Sequence, residues 1–224
     1  ARRADTLAGL NQRLGGHHAC YALDVTDAPA LHAAAVDFIG RFGAPDIVIA
    51  NAGVSAGTLT EHEEDLAAFR RVMDINVFGM AATFAPFVPA MRAAGGEKRL
   101  VGIASVAGIR GLPGAEAYSA SKAAAIAYLE SLRLEMRPYG IKVVTIAPGY
   151  IDTPLTQQNR YSMPFLMQPQ DFADQAFRAI QAGASYRVIP WQMGVVARLL
   201  RALPNALYDR ALAGRPRKHR QGGQ

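Results

Sequence analysis

The sequence predicts an α/β domain, a doubly wound parallel sheet with helices on both faces. Three observations predict it. Strand and helix patterns alternate along nearly the whole chain. The strand candidates are short, rich in Val and Ile, and apolar on both faces, as buried parallel strands are. Polar and glycine residues sit at their carboxyl ends: Asp24, Asn51-Ala52-Gly53, Ser105 and Pro148-Gly149. Ligands of such sheets bind beyond the carboxyl ends of the strands.

Asp5 to Leu14 reads as a short helix. Ala19 to Val25 is an apolar run that fits a buried strand, and Cys20 within it reads as a buried thiol. Thr26 or Asp27 caps a helix that runs through Phe42. A second strand covers 46–50. A long helical pattern from about Asp65 to Ala94 opens on Glu61, Glu63, Glu64 and Asp65, where the helix dipole favours acids, and ends at Gly95-Gly96. Leu100 to Ser105 is the next strand. A loop with Gly108, Gly111 and Gly114 leads to a helix from about Ala115 to Arg137, closed by Pro138 and Gly140. Ile141 to Ala147 forms another strand. A loop with Pro148, Pro154, Pro164 and Pro169 reaches a helix at about 170–182, followed by a short strand at 186–189.

The chain has 224 residues, half of them apolar, which suits one well-buried domain. We divide it as an α/β domain over 1–190, an apolar helical segment over 191–214 and a basic tail over 215–224. One cysteine makes no internal disulfide, and with no signal peptide visible this fits a reducing, cytoplasmic setting. No uninterrupted apolar stretch is long enough to span a bilayer. The formal charge of +6 is carried by the residues from Arg198 onward, with seven Lys/Arg and one Asp. The excess therefore belongs to the tail, not to a basic face, and nucleic acid is not the expected partner. His17, His18, His32, His62 and His219 show no metal-ligand spacing, so no metal is expected.

Tyr118 and Lys122 stand one helical turn apart on one face. A cation beside a phenol favours the phenolate and lowers its pKa from about 10, so that it can exchange a proton near neutral pH. By itself the pair is a common pattern on an exposed helix face. Ser105 makes it specific. It ends a strand 13 residues earlier, where its hydroxyl can hold a substrate oxygen against the tyrosine.

Gly102-Ile103-Ala104-Ser105-Val106-Ala107-Gly108 followed by Tyr118-Ser119-Ala120-Ser121-Lys122 resembles the active-site segment of the short-chain dehydrogenase/reductase family, whose fold is Rossmann-like. Ile49-Ala50-Asn51-Ala52-Gly53 resembles that family's Asn-Ala-Gly segment. Asp74-Ile75-Asn76-Val77-Phe78-Gly79 resembles its mid-helix asparagine motif, and Pro148-Gly149-Tyr150-Ile151-Asp152-Thr153 its Pro-Gly turn.

The resemblance implies an oxidoreductase moving hydride between NADP(H) and a carbonyl/alcohol pair. Tyr118 would be the general acid or base. Lys122 would lower its pKa and bind the nicotinamide ribose, Ser105 would orient the reacting oxygen, and Asn76 would complete a water-mediated relay to Lys122. Asn51, Ala52 and Gly53 would line the cofactor, with Asn51 also tying the sheet together. Asp24 and Val25 would flank the adenine, and Pro148, Gly149, Ile151 and Thr153 would cover the nicotinamide. Arg2 and Arg3 stand where NAD-preferring folds place a carboxylate, and guanidinium groups pair with a 2′-phosphate. NADP(H) is therefore favoured over NAD. A homodimer or homotetramer is implied by the resemblance alone.

The family's first strand, glycine-rich pyrophosphate loop and first helix would precede residue 1. No Gly-x-x-x-Gly-x-Gly occurs in these 224 residues. The resemblance thus implies a chain that begins inside the fold, leaving 19–25 without a neighbour beside 46–50. The loop 155–168, with Tyr161, Met163, Pro164, Phe165, Leu166 and Met167, suits a pocket for an apolar ketone or packing of a lid onto the body. The segment 191–212 mixes large apolar residues with arginines and suits core or dimer packing, or a membrane surface. Two further readings stand beside the enzyme: a non-catalytic scaffold on the same fold, and a peripheral membrane protein held by its basic, apolar end.

Overall fold

The computed structural model describes residues 1–157, 162–214 and 220. Four parallel strands lie in the order β1 (Ile47–Ala50), β2 (Lys98–Ile103), β3 (Ile141–Pro148) and β4 (Tyr186–Ile189) among these residues. The register sets Val48 beside Leu100 and Leu100 beside Val143, and in the next row Val101 beside Val144. Because side chains alternate across a strand, these two rows face opposite sides of the sheet.

One side packs on α6 (Glu116–Met136) with α4 (Gly79–Phe84) and α5 (Val88–Ala94). Leu100, Val143, Phe84, Met91 and Leu129 are buried there. The other side packs Val101, Val144 and Ile146 on Ala176, Ala179 and Ile180 of α8 (Pro169–Gln181). Each fully buried Leu, Val, Ile, Phe or Met stabilises the fold by roughly 1.5–3 kcal/mol. Gly102 permits the close approach of β2 to α6, since a Cβ on it would stand 2.4 Å from Cδ1 of Leu129.

Near the start of the chain lie α1 (Ala4–Arg13) and α2 (Ala28–Phe42), the latter capped by Asp27, whose side chain accepts from the Ala30 amide. The expected strand at 19–25 does not form. A strand needs a ladder partner, and among the described residues this segment's amides find only the bond from Leu23 N to Ala1 O, 3.1 Å. Between it and β1 runs an apolar groove of about 470 Å³ lined by Leu23, Val25, Ala35, Phe38, Ile49 and Phe87. Cys20 is correspondingly exposed, not buried.

The long helical pattern from residue 65 is interrupted. It divides into α3 (Asp65–Met73), a π-turn at Asp74–Phe78, α4 and α5. By length and composition this run is long and apolar enough to cross a membrane. Val72, Met80, Phe84 and Met91 are buried in it, and the π-turn carries Asn76 into the interior. The short α7 (Pro154–Gln157) follows β3. After β4 come α9 (Trp191–Ala202) and α10 (Asn205–Leu212).

Candidate active site

Ser105, Tyr118, Lys122 and Asn76 converge beyond the carboxyl ends of β1 and β2. Ser105 leaves β2 and caps a short 3₁₀ turn at Val106–Gly108, its hydroxyl accepting from the Ala107 amide at 3.2 Å. That turn presses against α6. A Cβ on Gly108 would lie 2.5 Å from the carbonyl carbon of Lys122, so only glycine lets the loop come this close. The approach brings the Ser105 hydroxyl close enough to the Tyr118 phenol to act on its ionisation. The hydroxyl that caps the turn is thus also the one that faces Tyr118.

Burial pushes the Tyr118 phenol above its ordinary value; the Ser105 hydrogen bond opposes this, and nearby Tyr150 adds to it. Lys122 is buried, and burial lowers its amine to about 8. Its ammonium donates to Ile103 O at 2.8 Å and stands 5.9 Å from the Tyr118 ring centre. The expected depression of the Tyr118 pKa by Lys122 is thus not what this arrangement gives. The amine is directed at the end of β2, and desolvation dominates both groups.

Asn76 is fully buried. Its amide group donates to Val54 O and to the Ser121 hydroxyl, both at 2.9 Å, and its Oδ1 accepts from Val54 N at 2.8 Å. Ser121 in turn donates to Tyr118 O at 2.8 Å. The π-turn around Asn76 is the kind of bulge that accompanies functional sites, and here it aims the amide at the end of β1. A Cβ on Gly53 would lie 3.4 Å from Oδ1 of Asn76 and 3.5 Å from Nζ of Lys122, so Gly53 faces both groups.

The remaining expected residues line a rim. Asn51, Ala52 and Gly53 are exposed just past β1. Among the described residues Asn51 makes no side-chain hydrogen bond, so it does not tie strands together; the groove lies on that side of β1. Arg2 and Asp24 meet at 3.6 Å, an exposed pair of little worth for stability. Asp24 also accepts from the Thr26 amide (3.0 Å) and hydroxyl (2.9 Å), bonds that hold its carboxyl below the usual range. Arg3 is exposed ahead of α1. Val25 packs against Gly79, where a Cβ would stand 2.8 Å from Cγ2 of Val25.

Pro148 ends β3, and Gly149 N bonds Ile189 O at 2.8 Å. Ile151 pairs with Met167, which brings the lid loop back beside Tyr150. Thr153 N donates to the Thr156 hydroxyl at 3.0 Å. Within the loop Met167 packs on the α8 core, whereas Phe165 and Leu166 are exposed. Tyr161 lies outside the described residues, as do residues 215–219 and 221–224. Arg220 does not extend into solvent as a free tail residue: it forms ion pairs at 2.8 Å with Asp65 and with Glu64.

Sequence reasoning missed several contributors. Ser121 follows Tyr118 by three helical positions, a spacing that marks a shared face. Tyr150 was visible only as part of the Pro-Gly turn. Arg110 carried no local signal. Its guanidinium donates to the Leu200, Arg201 and Leu203 carbonyls and to Asn205 Oδ1, and lies 3.8 Å above the Tyr208 ring. The Tyr208 hydroxyl donates to Gly111 O at 2.6 Å. The loop between Ser105 and Tyr118 is thereby fastened to α9 and α10.

The nicotinamide-ribose end of a dinucleotide fits this set: the buried Lys122 amine and the Asn76 amide face the side-chain-free surface of Gly53, and Tyr118 with Ser105 stands one helical turn away from the amine.

A sequence model described as short chain dehydrogenase matches residues 1–163. An uncharacterized oxidoreductase of Myxococcus xanthus is 40% identical over 191 residues, covering 84% of this chain and 74% of that protein. The 2-dehydro-3-deoxy-L-rhamnonate dehydrogenase (NAD(+)) of a Sphingomonas species is 38% identical over 154 residues, 69% of this chain and 61% of that protein. A crystal structure of a short chain dehydrogenase from Burkholderia cenocepacia in complex with NADP superposes with a TM-score of 0.78 at 26% identity, covering 95% of this chain and 84% of that one.

Proposed function

The chain belongs to the short-chain dehydrogenase/reductase family of oxidoreductases, and on that premise we propose that it interconverts an apolar carbonyl compound and its alcohol with NADP(H). The observation that carries this reading is the placement of the Ser105 hydroxyl beside the Tyr118 phenol, with buried Lys122 one turn further on.

A bound nicotinamide supplies or takes up the hydride. The chain's residues do the rest. Ser105 donates to the substrate oxygen and positions it. Tyr118, which burial keeps protonated near neutral pH, gives its proton to the forming alkoxide in the reductive direction. Lys122 holds the ribose hydroxyls. Asn76 fixes the end of β1 and faces Lys122 across Gly53. Exposed Phe165 and Leu166 suit an apolar substrate.

The phosphate preference rests on charge. Arg2 lies beside Asp24, and Arg71 is close enough to lower the Asp24 carboxyl further. These two guanidinium groups, with Arg3 next in sequence to Arg2, favour a 2′-phosphate. The relatives include both an NAD-linked enzyme and a structure holding NADP.

The test is titration of NADPH and NADH, followed by turnover of apolar ketones. NADPH is expected to bind more tightly, and Arg2→Ala with Arg3→Ala to erase the preference. Tyr118→Phe should retain nucleotide binding and lose about 10²–10⁴-fold in kcat. Failure of both nucleotides to bind would overturn the reading.

A further inference from the structure

We propose that the outer face of α9, with the neighbouring surface of β4 and α8, is a docking surface for an anionic lipid bilayer. The inner side of α9 is committed to the fold: Met193, Gly194 and Ala197 are buried, and a Cβ on Gly194 would lie 3.1 Å from Val188. The outer side repeats large apolar residues at every fourth position, which places them on one face. Trp191, Val195 and Leu199 are 67%, 43% and 64% exposed. No core requirement accounts for that stripe.

Cations border it. Arg198 and Arg201 are exposed on the same helix. Arg178 and Arg187 line one concavity together with Trp191. Arg198 lies close enough to Tyr186 to act on its phenol. Among the described residues none of Arg178, Arg187, Arg198, Arg201 or Arg210 forms an ion pair. The asymmetry extends to the whole chain: nine of its 24 Lys/Arg, but one of its 18 acids, lie from residue 178 onward. An amphipathic helix with an apolar stripe, cationic edges and aromatic residues at its rim is the composition that settles in a bilayer interface.

Charge selects lipid over a second copy of the chain. A symmetric interface would set this surface against itself and oppose unpaired arginines with unpaired arginines, at a cost in repulsion. Anionic headgroups supply the missing counter-charge. Met193, on the inner side of the same helix, abuts Gly149 at the rim of the active site. Docking would therefore hold that rim about one helix diameter, roughly 10 Å, from the lipid.

The test uses the full chain with vesicles of phosphatidylcholine, with and without phosphatidylglycerol. Trp191 is the one tryptophan in the sequence, so its fluorescence reports the contact directly. Binding and a blue shift are expected only with phosphatidylglycerol, and both should weaken with salt. Arg187→Gln, Arg198→Gln and Arg201→Gln should each cost about fivefold in affinity. Leu199→Gln, at an exposed position that leaves the core intact, should cost about tenfold or more with the tail still present. The proposal is overturned if the full chain ignores anionic vesicles. It is also overturned if removal of 215–224 abolishes binding while Leu199→Gln leaves it unchanged. A dimer that Leu199→Gln dissolves, without vesicle binding, would assign the face to a second copy instead.

Discussion

Gly108 lies against the backbone of Lys122, so close that a Cβ on it would stand 2.5 Å from the carbonyl carbon and 2.6 Å from the carbonyl oxygen. Both groups are main chain and α6 is held on its other side by the sheet, so neither can yield cheaply. Gly108→Ala should therefore push the 3₁₀ turn away from α6 and part Ser105 from Tyr118. We expect a loss of about 1–3 kcal/mol in stability, as for overpacked cores, and a larger fall in kcat than in nucleotide affinity. A variant with wild-type Tm and turnover would show that the turn and helix can separate freely.

Gly53 presents a milder geometry. A methyl group there would make ordinary contacts with Asn76 and Lys122. Its backbone does not require a left-handed conformation. Gly53→Ala should fold with a Tm near that of the parent protein, within about 0.5 kcal/mol. It should nevertheless lose about 10–100-fold in kcat/KM, because the methyl fills the surface shared by the two polar groups and misplaces whatever bridges them. Circular dichroism beside steady-state kinetics separates the two effects. A parallel fall in both would mean that Gly53 serves packing alone.

Arg110 joins the loop after Ser105 to the end of α9 through several carbonyls at once. Arg110→Ala should cost about 2–3 kcal/mol, in the range of hydrogen bonds to charged groups. Arg110→Lys should rescue little, since a point ammonium cannot reproduce the fork. Tyr208→Phe removes only the bond to Gly111 O and should cost about 1 kcal/mol. The guanidinium stacks on this ring, so the double variant should fall short of additivity. Strict additivity in denaturant melts would show that the two residues act separately.

The parallel sheet and the helices around it were legible because Val- and Ile-rich runs such as 141–147 can only be buried on both faces. The convergence of Ser105, Tyr118 and Lys122 at the candidate site was legible because they keep a fixed spacing along a strand-loop-helix unit. Less was legible where the outcome depends on partners distant in sequence. The run at 19–25 reads as a strand by composition, yet without a ladder it remains irregular and leaves Cys20 exposed. The long helix at 65–94 gives no hint of its π-turn, which follows from the pull of Val54 on Asn76. Arg220 reads from the sequence as part of a basic tail, and composition gives no hint that it pairs with Asp65 across 155 residues. Lys122 was expected to act on Tyr118 because spacing reports the face of a helix; it does not report the Ile103 carbonyl that the amine meets.

Lys122 also predicts how stability follows pH. Burial lowers its amine from 10.5 to about 8 in the folded protein, whereas the unfolded chain restores a value of about 10.4. Between those values the unfolded chain binds more protons, so stability rises with pH across that window. The penalty for the buried charge is fully present below about pH 8 and is relieved above about 10.4. A shift of this size corresponds to about 3 kcal/mol. Lys122→Met keeps the volume and removes the charge. It should abolish turnover, yet melt above the parent protein at pH 7, with part of the gain offset by about 1 kcal/mol for the lost bond to Ile103 O. The difference between the two proteins should shrink and then reverse sign as pH climbs from 8 past 10. Denaturant melts of the nucleotide-free proteins across that range read it directly. A difference that stays flat with pH would mean that the Lys122 amine keeps an ordinary pKa inside the fold.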